Sequence, residues 1–220
     1  MSQGPSSRPR GRYKAVIFDM DGTLFDSTNV VPDAYIESVV AGGGRRYERQ
    51  EIIDAYWLGP PRVMLAHLLK RDCADADLDR YHATLARVGG NVRVYDGMIE
   101  ALDELSAGVP LAVFTGASAI AAEILLKASN LRRFFKVVVG GDEVVRPKPD
   151  PAGIQLACKR LGVPCDQAAY VGDSPLDLEA ARRSTALAVA AGWSALSQGV
   201  AADEVLSQPH DLVRLVASGR

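Results

Sequence analysis

The sequence predicts an α/β fold: a doubly wound, Rossmann-like parallel sheet that carries an α-helical insertion after its first strand. Three observations predict it. Short apolar, β-branched runs recur along the chain, each long enough for a strand buried on both faces. Helical patterns separate those runs from residue 98 onward. Residues 27–93 interrupt the alternation with several helical patterns and little strand signal.

The elements follow in order. Residues 14–18 (KAVIF) form the first strand and stop at Asp19. Helical candidates lie near 30–41, 48–57, 61–71 and 75–88. Gly42-Gly43-Gly44, Gly59-Pro60-Pro61 and Gly89-Gly90-Asn91 punctuate them. Further strands are expected at 110–114, 135–139, 168–171 and 186–190. The helices between and after them cover 98–107, 118–129, 151–161 and 175–183. Pro151 and Pro175 suit a first helical turn, where the missing N–H costs nothing. The division expected is a tail over 1–12, an α/β core over 13–26 and 94–220, and a helical domain over 27–93.

Composition bounds the function. The chain has 220 residues, 25 Lys and Arg against 27 Asp and Glu, and a formal charge of −2. Apolar residues make up 48% and charged residues 24%, which excludes a disordered chain. No run of eighteen apolar residues suggests a membrane span, and the absence of a basic excess argues against a nucleic-acid partner. Residues 1–14 carry Arg8, Arg10, Arg12 and Lys14 and no acid. That start reads as a solvated basic tail without the apolar stretch of a secretory signal. Cys73, Cys158 and Cys165 give neither a disulfide framework nor a zinc spacing, so free thiols in the cytoplasm are expected. His67, His82 and His210 are scattered and read as surface or packing residues.

The chemistry concentrates where strands end. Asp19-Met20-Asp21-Gly22-Thr23 follows the first strand, at the sheet edge where ligands bind in open α/β folds. Residues i and i+2 of an extended chain share a side, so Asp19 and Asp21 face one pocket. A second acidic pair, Asp173 and Asp177, lies in Gly172-Asp173-Ser174-Pro175-Leu176-Asp177 at another strand-to-helix turn. Clustered carboxylates repel unless a cation or a shared proton relieves them, and oxygen-rich ligands suit Mg²⁺. Thr115-Gly116-Ala117-Ser118 offers a hydroxyl and free N–H groups to an anion. Lys148 is held in the proline-stiffened Arg146-Pro147-Lys148-Pro149-Asp150-Pro151, where it can offset charge.

The ordered set DMDGT, TGAS, RPKPDP and GDSPLD resembles the four motifs of the haloacid dehalogenase superfamily. The closest likeness is to its phosphoglycolate-phosphatase and β-phosphoglucomutase branch, over about residues 13–218. In that branch a helical cap follows the first motif, as 27–93 would here. The resemblance implies roles. Asp19 would be the nucleophile and Asp21 the general acid and base. Mg²⁺ would bind Asp19, the backbone carbonyl of Asp21, and Asp173, with Asp177 a further ligand or an orienter. Thr115, Gly116, Ala117 and Lys148 would hold the phosphate. Relatives that cleave carbon–halogen bonds lack the second carboxylate, so Asp21 favours phosphate esters.

Within the insertion, Arg62 stands where phosphomutase relatives carry a substrate-binding Arg in a Gly-x-x-Arg turn, and Arg45, Arg46 and Tyr47 are further candidates. Tyr56 and Trp57, spaced with Ile52 and Ile53, read as packing inside the insertion. One departure is Ser184-Thr185, where the branch usually places a small residue and Gly. The implied activity is hydrolysis of a small soluble phosphate (a sugar phosphate, a phosphoglycolate-like compound or a biosynthetic intermediate) by a monomer or homodimer. A β-phosphoglucomutase-type mutase and a non-catalytic phosphate-binding protein are the alternatives.

Overall fold

A computed structural model describes residues 13–217 except 198 and 200. The basic tail over 1–12 lies outside the described residues. The chain runs β1 (Ala15–Phe18), β2 (Phe25–Asp26), α1 (Val31–Ala41), α2 (Arg49–Asp54), α3 (Pro61–Leu69), α4 (Asp75–Val88) and β3 (Arg93–Val94). It continues through α5 (Met98–Gly108), β4 (Leu111–Phe114), α6 (Ala119–Ala128), β5 (Phe135–Val139) and α7 (Ala152–Leu161). The last elements are β6 (Ala168–Gly172), α8 (Pro175–Ser184), β7 (Leu187–Ala191), β8 (Glu204–Leu206) and α9 (Asp211–Ala217).

Six strands form one parallel sheet in the order β5-β4-β1-β6-β7-β8. The fold is therefore the doubly wound α/β class expected from the alternating strands and helices. β1 is central and pairs with β4 on one side and β6 on the other. The strand order reverses there, so a crevice opens beyond the carboxyl ends of β1, β4 and β6. Every residue of β1, β4, β6 and β7 is buried, because helices cover both sheet faces and leave no polar side. Small residues let those helices approach. A Cβ on Gly153 of α7 would lie 2.0 Å from the Phe114 ring of β4.

Helices α1 to α4 fill the interval between two very short strands. β2 and β3 pair antiparallel, Phe25 with Val94 and Asp26 with Arg93, so one ribbon ties both ends of the helical segment together. Strands this short carry no periodic signal, and the sequence did not reveal them. It also missed β8 and α9 near the carboxyl terminus.

The helix expected over 48–57 is shorter. α2 stops at Asp54, and Tyr56–Leu58 form a 3₁₀ turn. Gly59 (φ +98°) and two prolines follow, and neither can continue an α-helix. Trp57 is consequently 72% exposed and Tyr56 36% exposed, so neither is the packing residue that its spacing suggested. Cys158 and Cys165, seven positions apart, bring their thiols together, and burial pushes the Cys158 thiol up. No helix among the described residues is long and apolar enough to cross a membrane.

Candidate active site

The buried β1 ends by delivering Asp19, 5% exposed, to the crevice. Its N–H still donates to Val171 O of β6 at 2.8 Å, so the sheet ladder fixes its backbone. β6 delivers Asp173 one residue past its own end. Ser174 caps α8, accepting from Asp177 N while its own N–H donates to Asp177 Oδ2 at 3.1 Å. This reciprocal cap turns the Asp177 side chain back over the helix start. Carboxylate oxygens of Asp19, Asp173 and Asp177 all lie within 4.8 Å of one another. The geometry thus brings together three of the four predicted acids.

Lys148 enters this cluster from the loop before α7. Its Nζ is 2.6 Å from Asp19 Oδ1, 2.6 Å from Asp177 Oδ1 and 3.2 Å from the Tyr170 hydroxyl. Burial works against the ammonium, but Asp177 and Asp19 more than offset it and raise its pKa well above the ordinary value. Burial would likewise raise Asp177; Lys148 and Ser174 outweigh it and hold that carboxyl low. Asp19 goes the other way. Its burial, with Asp177 and Asp173 nearby, exceeds the pull of Lys148, and its pKa is raised. Burial and then Asp177 push Asp173 up to about 7. Two members of one cluster therefore favour a proton unless further positive charge arrives.

The donor set fits a hard cation. Asp177 accepts four hydrogen bonds, two from Ser174 and one each from Lys148 and Tyr170. A carboxylate has about four lone-pair directions, so Asp177 is filled. Asp19 accepts one from Lys148, and Asp173 one from Thr23 Oγ1 at 3.3 Å. Both keep capacity for a metal, which makes Asp19 and Asp173 the ligand candidates and Asp177 the orienter of Lys148. Gly22 (φ +80°) lies against Asp173, and a Cβ there would come within 2.2 Å of Asp173 Oδ2.

The side chain of Asp21 stands apart from the trio and accepts from Ser27 Oγ at 2.5 Å. Burial raises its pKa, and the Ser27 bond only partly counters this. Thr115, buried at the end of β4, accepts from Ala117 N at 3.1 Å. The Thr115-Gly116-Ala117 turn is thus curled ahead of α6, whose N-cap is Ser118.

The arginines of the helical segment are engaged elsewhere. Arg45 lies over the Tyr47 ring and forms a two-point pair with Glu51. Arg62 donates to Asp75 at 2.6 Å and to Cys73 O at 3.0 Å. The structure does not bring either to the carboxylates. Arg46 is exposed.

Sequence reasoning missed Tyr170, Thr23, Ser27 and Trp193. The Tyr170 hydroxyl oxygen also lies 3.1 Å from Phe114 O, so this residue of β6 reaches β4 beneath Lys148. Trp193, just after β7, donates to Thr23 O at 2.9 Å and braces the motif loop. A polar-tipped residue inside an otherwise apolar strand was a readable signal for Tyr170. Nothing in the sequence marked Trp193. His82, read as a packing residue, lies 3.2 Å from Ser118 Oγ.

Comparison with known proteins identifies the family. The sequence pattern of the haloacid dehalogenase-like hydrolases matches residues 13–185. A phosphoglycolate phosphatase of Pseudomonas savastanoi is 34% identical over 193 residues, covering 82% of this chain and 70% of that protein. An N-acetylmuramic acid 6-phosphate phosphatase of Pseudomonas aeruginosa is 33% identical, covering 79% of each. The crystal structure of CbbY from Rhodobacter sphaeroides in complex with xylulose-1,5-bisphosphate superposes with a TM-score of 0.80. It is 23% identical and covers 93% of this chain and 99% of that one, a likeness of fold. The carboxylate-lined crevice and the matched motifs together place the chain in the haloacid dehalogenase-like hydrolase family, as an enzyme of its phosphatase branch.

Proposed function

We propose that the protein is a Mg²⁺-dependent phosphomonoester hydrolase that works through an aspartyl-phosphate on Asp19. The observation that carries this reading is the pairing of a buried Asp19 with Lys148 at 2.6 Å, beside Asp173 and within one crevice.

The cycle has two displacements. An Asp19 oxygen attacks phosphorus, an O–P bond forms, and the bond to the leaving oxygen breaks. Asp21, whose burial favours its protonated form, gives its proton to that oxygen and releases an alcohol. Asp21 then takes a proton from water, which attacks the aspartyl-phosphate and restores Asp19 and inorganic phosphate. Lys148 balances charge on the phosphoryl oxygens in both steps, held on target by Asp177 and Tyr170. Thr115 and the amides of Gly116 and Ala117 hold the remaining oxygens. Mg²⁺, when bound by Asp19, Asp173 and the Asp21 carbonyl, supplies the positive charge that lets phosphate enter a crevice of carboxylates.

The helical segment over 27–93 acts as the cap that excludes water and selects the leaving group. The mutase alternative drew on Arg62, and its engagement with Asp75 favours hydrolysis. Phosphate release from p-nitrophenyl phosphate tests the reading. Activity with Mg²⁺, loss with EDTA and loss in Asp19→Asn are expected; turnover that survives Asp19→Asn overturns it.

A further inference from the structure

The indole of Trp193 is tied to a metal-ligand candidate through one intermediate residue. β7 is buried throughout and ends at Ala191. Gly192 N then donates to Leu206 O of β8 at 2.8 Å, and a Cβ on Gly192 would lie 2.6 Å from that oxygen. Ser194 N donates back to Ala191 O at 2.9 Å. The sheet therefore anchors the backbone on both sides of Trp193. Its Nε1–H reaches 170 positions back along the chain, to Thr23 O at 2.9 Å.

Thr23 is fully buried. It belongs to the tight turn after β1, in which Leu24 N donates to Met20 O and Gly22 N to Phe25 O, each at 2.9 Å. While the Thr23 carbonyl accepts from Trp193, its hydroxyl donates to Asp173 Oδ1 at 3.3 Å. Gly22 fits against the same carboxylate with no room for a Cβ. One turn thus touches Asp173 at two neighbouring residues, and Trp193 holds that turn. A hydrogen bond to a ligand carboxylate sets its orientation before the metal arrives. A residue one step further out acts on the metal by keeping that first partner in place.

We propose that Trp193 is a positioning residue for the cation site: it holds Thr23 so that the Thr23 hydroxyl keeps Asp173 set for Mg²⁺. This role rests on the reading of Asp19 and Asp173 as Mg²⁺ ligands and deepens it with a residue from the loop after β7. Trp193 makes no contact with substrate in this role.

Calorimetric titration of the full chain with Mg²⁺, without substrate, tests it. Trp193→Phe keeps an aromatic ring and removes the donor. It is expected to raise the Mg²⁺ Kd about three- to tenfold, and Thr23→Val at least about tenfold. The decisive readout is the double variant. Because Trp193 acts through Thr23, the double variant should bind Mg²⁺ no more weakly than Thr23→Val alone. A residue that only packs would lower the metal-free melting temperature and leave Kd where it was. An unchanged Kd in Trp193→Phe, or losses that multiply in the double variant, overturns the inference and leaves the hydrolase reading standing.

A second measurement keeps Trp193 in place and does not depend on the folding of its variant. The chain has two tryptophans, so Trp57→Phe leaves Trp193 as the sole indole. Its emission should shift as Mg²⁺ saturates the site, and Asp173→Asn should abolish the shift. Emission unchanged at saturation overturns the inference. A wild-type protein that binds no Mg²⁺ overturns both this inference and the Mg²⁺-dependent reading.

Discussion

Lys148 donates to Asp19 across 129 positions of sequence, with Nζ 2.6 Å from Oδ1. The same ammonium bridges to Asp177, so one cation organises two carboxylates from different strand ends. Removing it strands both. Lys148→Met is expected to lower kcat by about 10²–10³-fold, the cost typical of losing one preorganised charge donor. It should also destabilise the fold by about 3–5 kcal/mol, because a buried pair has lost one partner. Steady-state kinetics and denaturant melts check the two effects separately.

Ser27 sets the behaviour of Asp21. Its hydrogen bond stabilises the charged carboxylate and opposes the upward push of burial. Ser27→Ala removes that opposition, so the Asp21 pKa rises further. A general acid must be protonated, so the alkaline limb of kcat/KM for an alkyl phosphate should move to higher pH. Lost orientation should cost about tenfold in rate. A pH profile unchanged in Ser27→Ala would contradict the general-acid role.

The acidic cluster makes stability depend on pH and on metal in opposite senses. Asp173 is raised to about 7 in the fold, mainly by burial, and Asp19 and Asp21 shift in the same direction. Groups raised in the folded state contribute stability at low pH and lose it as pH rises through their folded values. Asp177 is lowered, so its contribution is lost only below the ordinary carboxylate range. The metal-free protein should therefore melt roughly 5 °C lower at about pH 8 than at about pH 5. Mg²⁺ competes with those protons, so its stabilisation should be larger at the higher pH. Calorimetry with EDTA and with saturating Mg²⁺ at both pH values tests this.

Thr185 carries backbone strain. It closes α8 with φ +71°, a left-handed position that costs a β-branched residue about 1–2 kcal/mol. Glycine has no such cost there, though it loses more chain entropy on folding. Thr185→Gly should stabilise the protein by about 0.5–1 kcal/mol and leave kcat unchanged, as read from melts and p-nitrophenyl phosphate turnover.

Much of the fold was legible because burial writes itself into composition. β1, β4, β6 and β7 are covered on both faces, so their residues had to be apolar, and the runs at 14–18, 110–114, 168–171 and 186–190 stood out. β2, β3 and β8 are too short or too exposed to leave a pattern. Their pairing comes from the chain being brought back on itself. The 48–57 helix failed for a local reason, because Gly59 and the prolines after it pull the backbone into a 3₁₀ turn and push Trp57 outward.

The sequence by itself determined the class of fold and the charged side chains of the motifs that meet in the crevice. Asp19, Asp173 and Lys148 sit at the ends of buried strands or in a proline-stiffened loop, and such positions have few places to go. Only the tertiary structure decided what each charge does. Asp177 has the same carboxylate as Asp173, yet four hydrogen bonds fill it while Asp173 keeps room for a cation. Arg45 and Arg62 have the charge to hold a substrate, yet each is spent on a neighbouring acid. A charge acts through distance and burial, and the packing of the folded chain sets both.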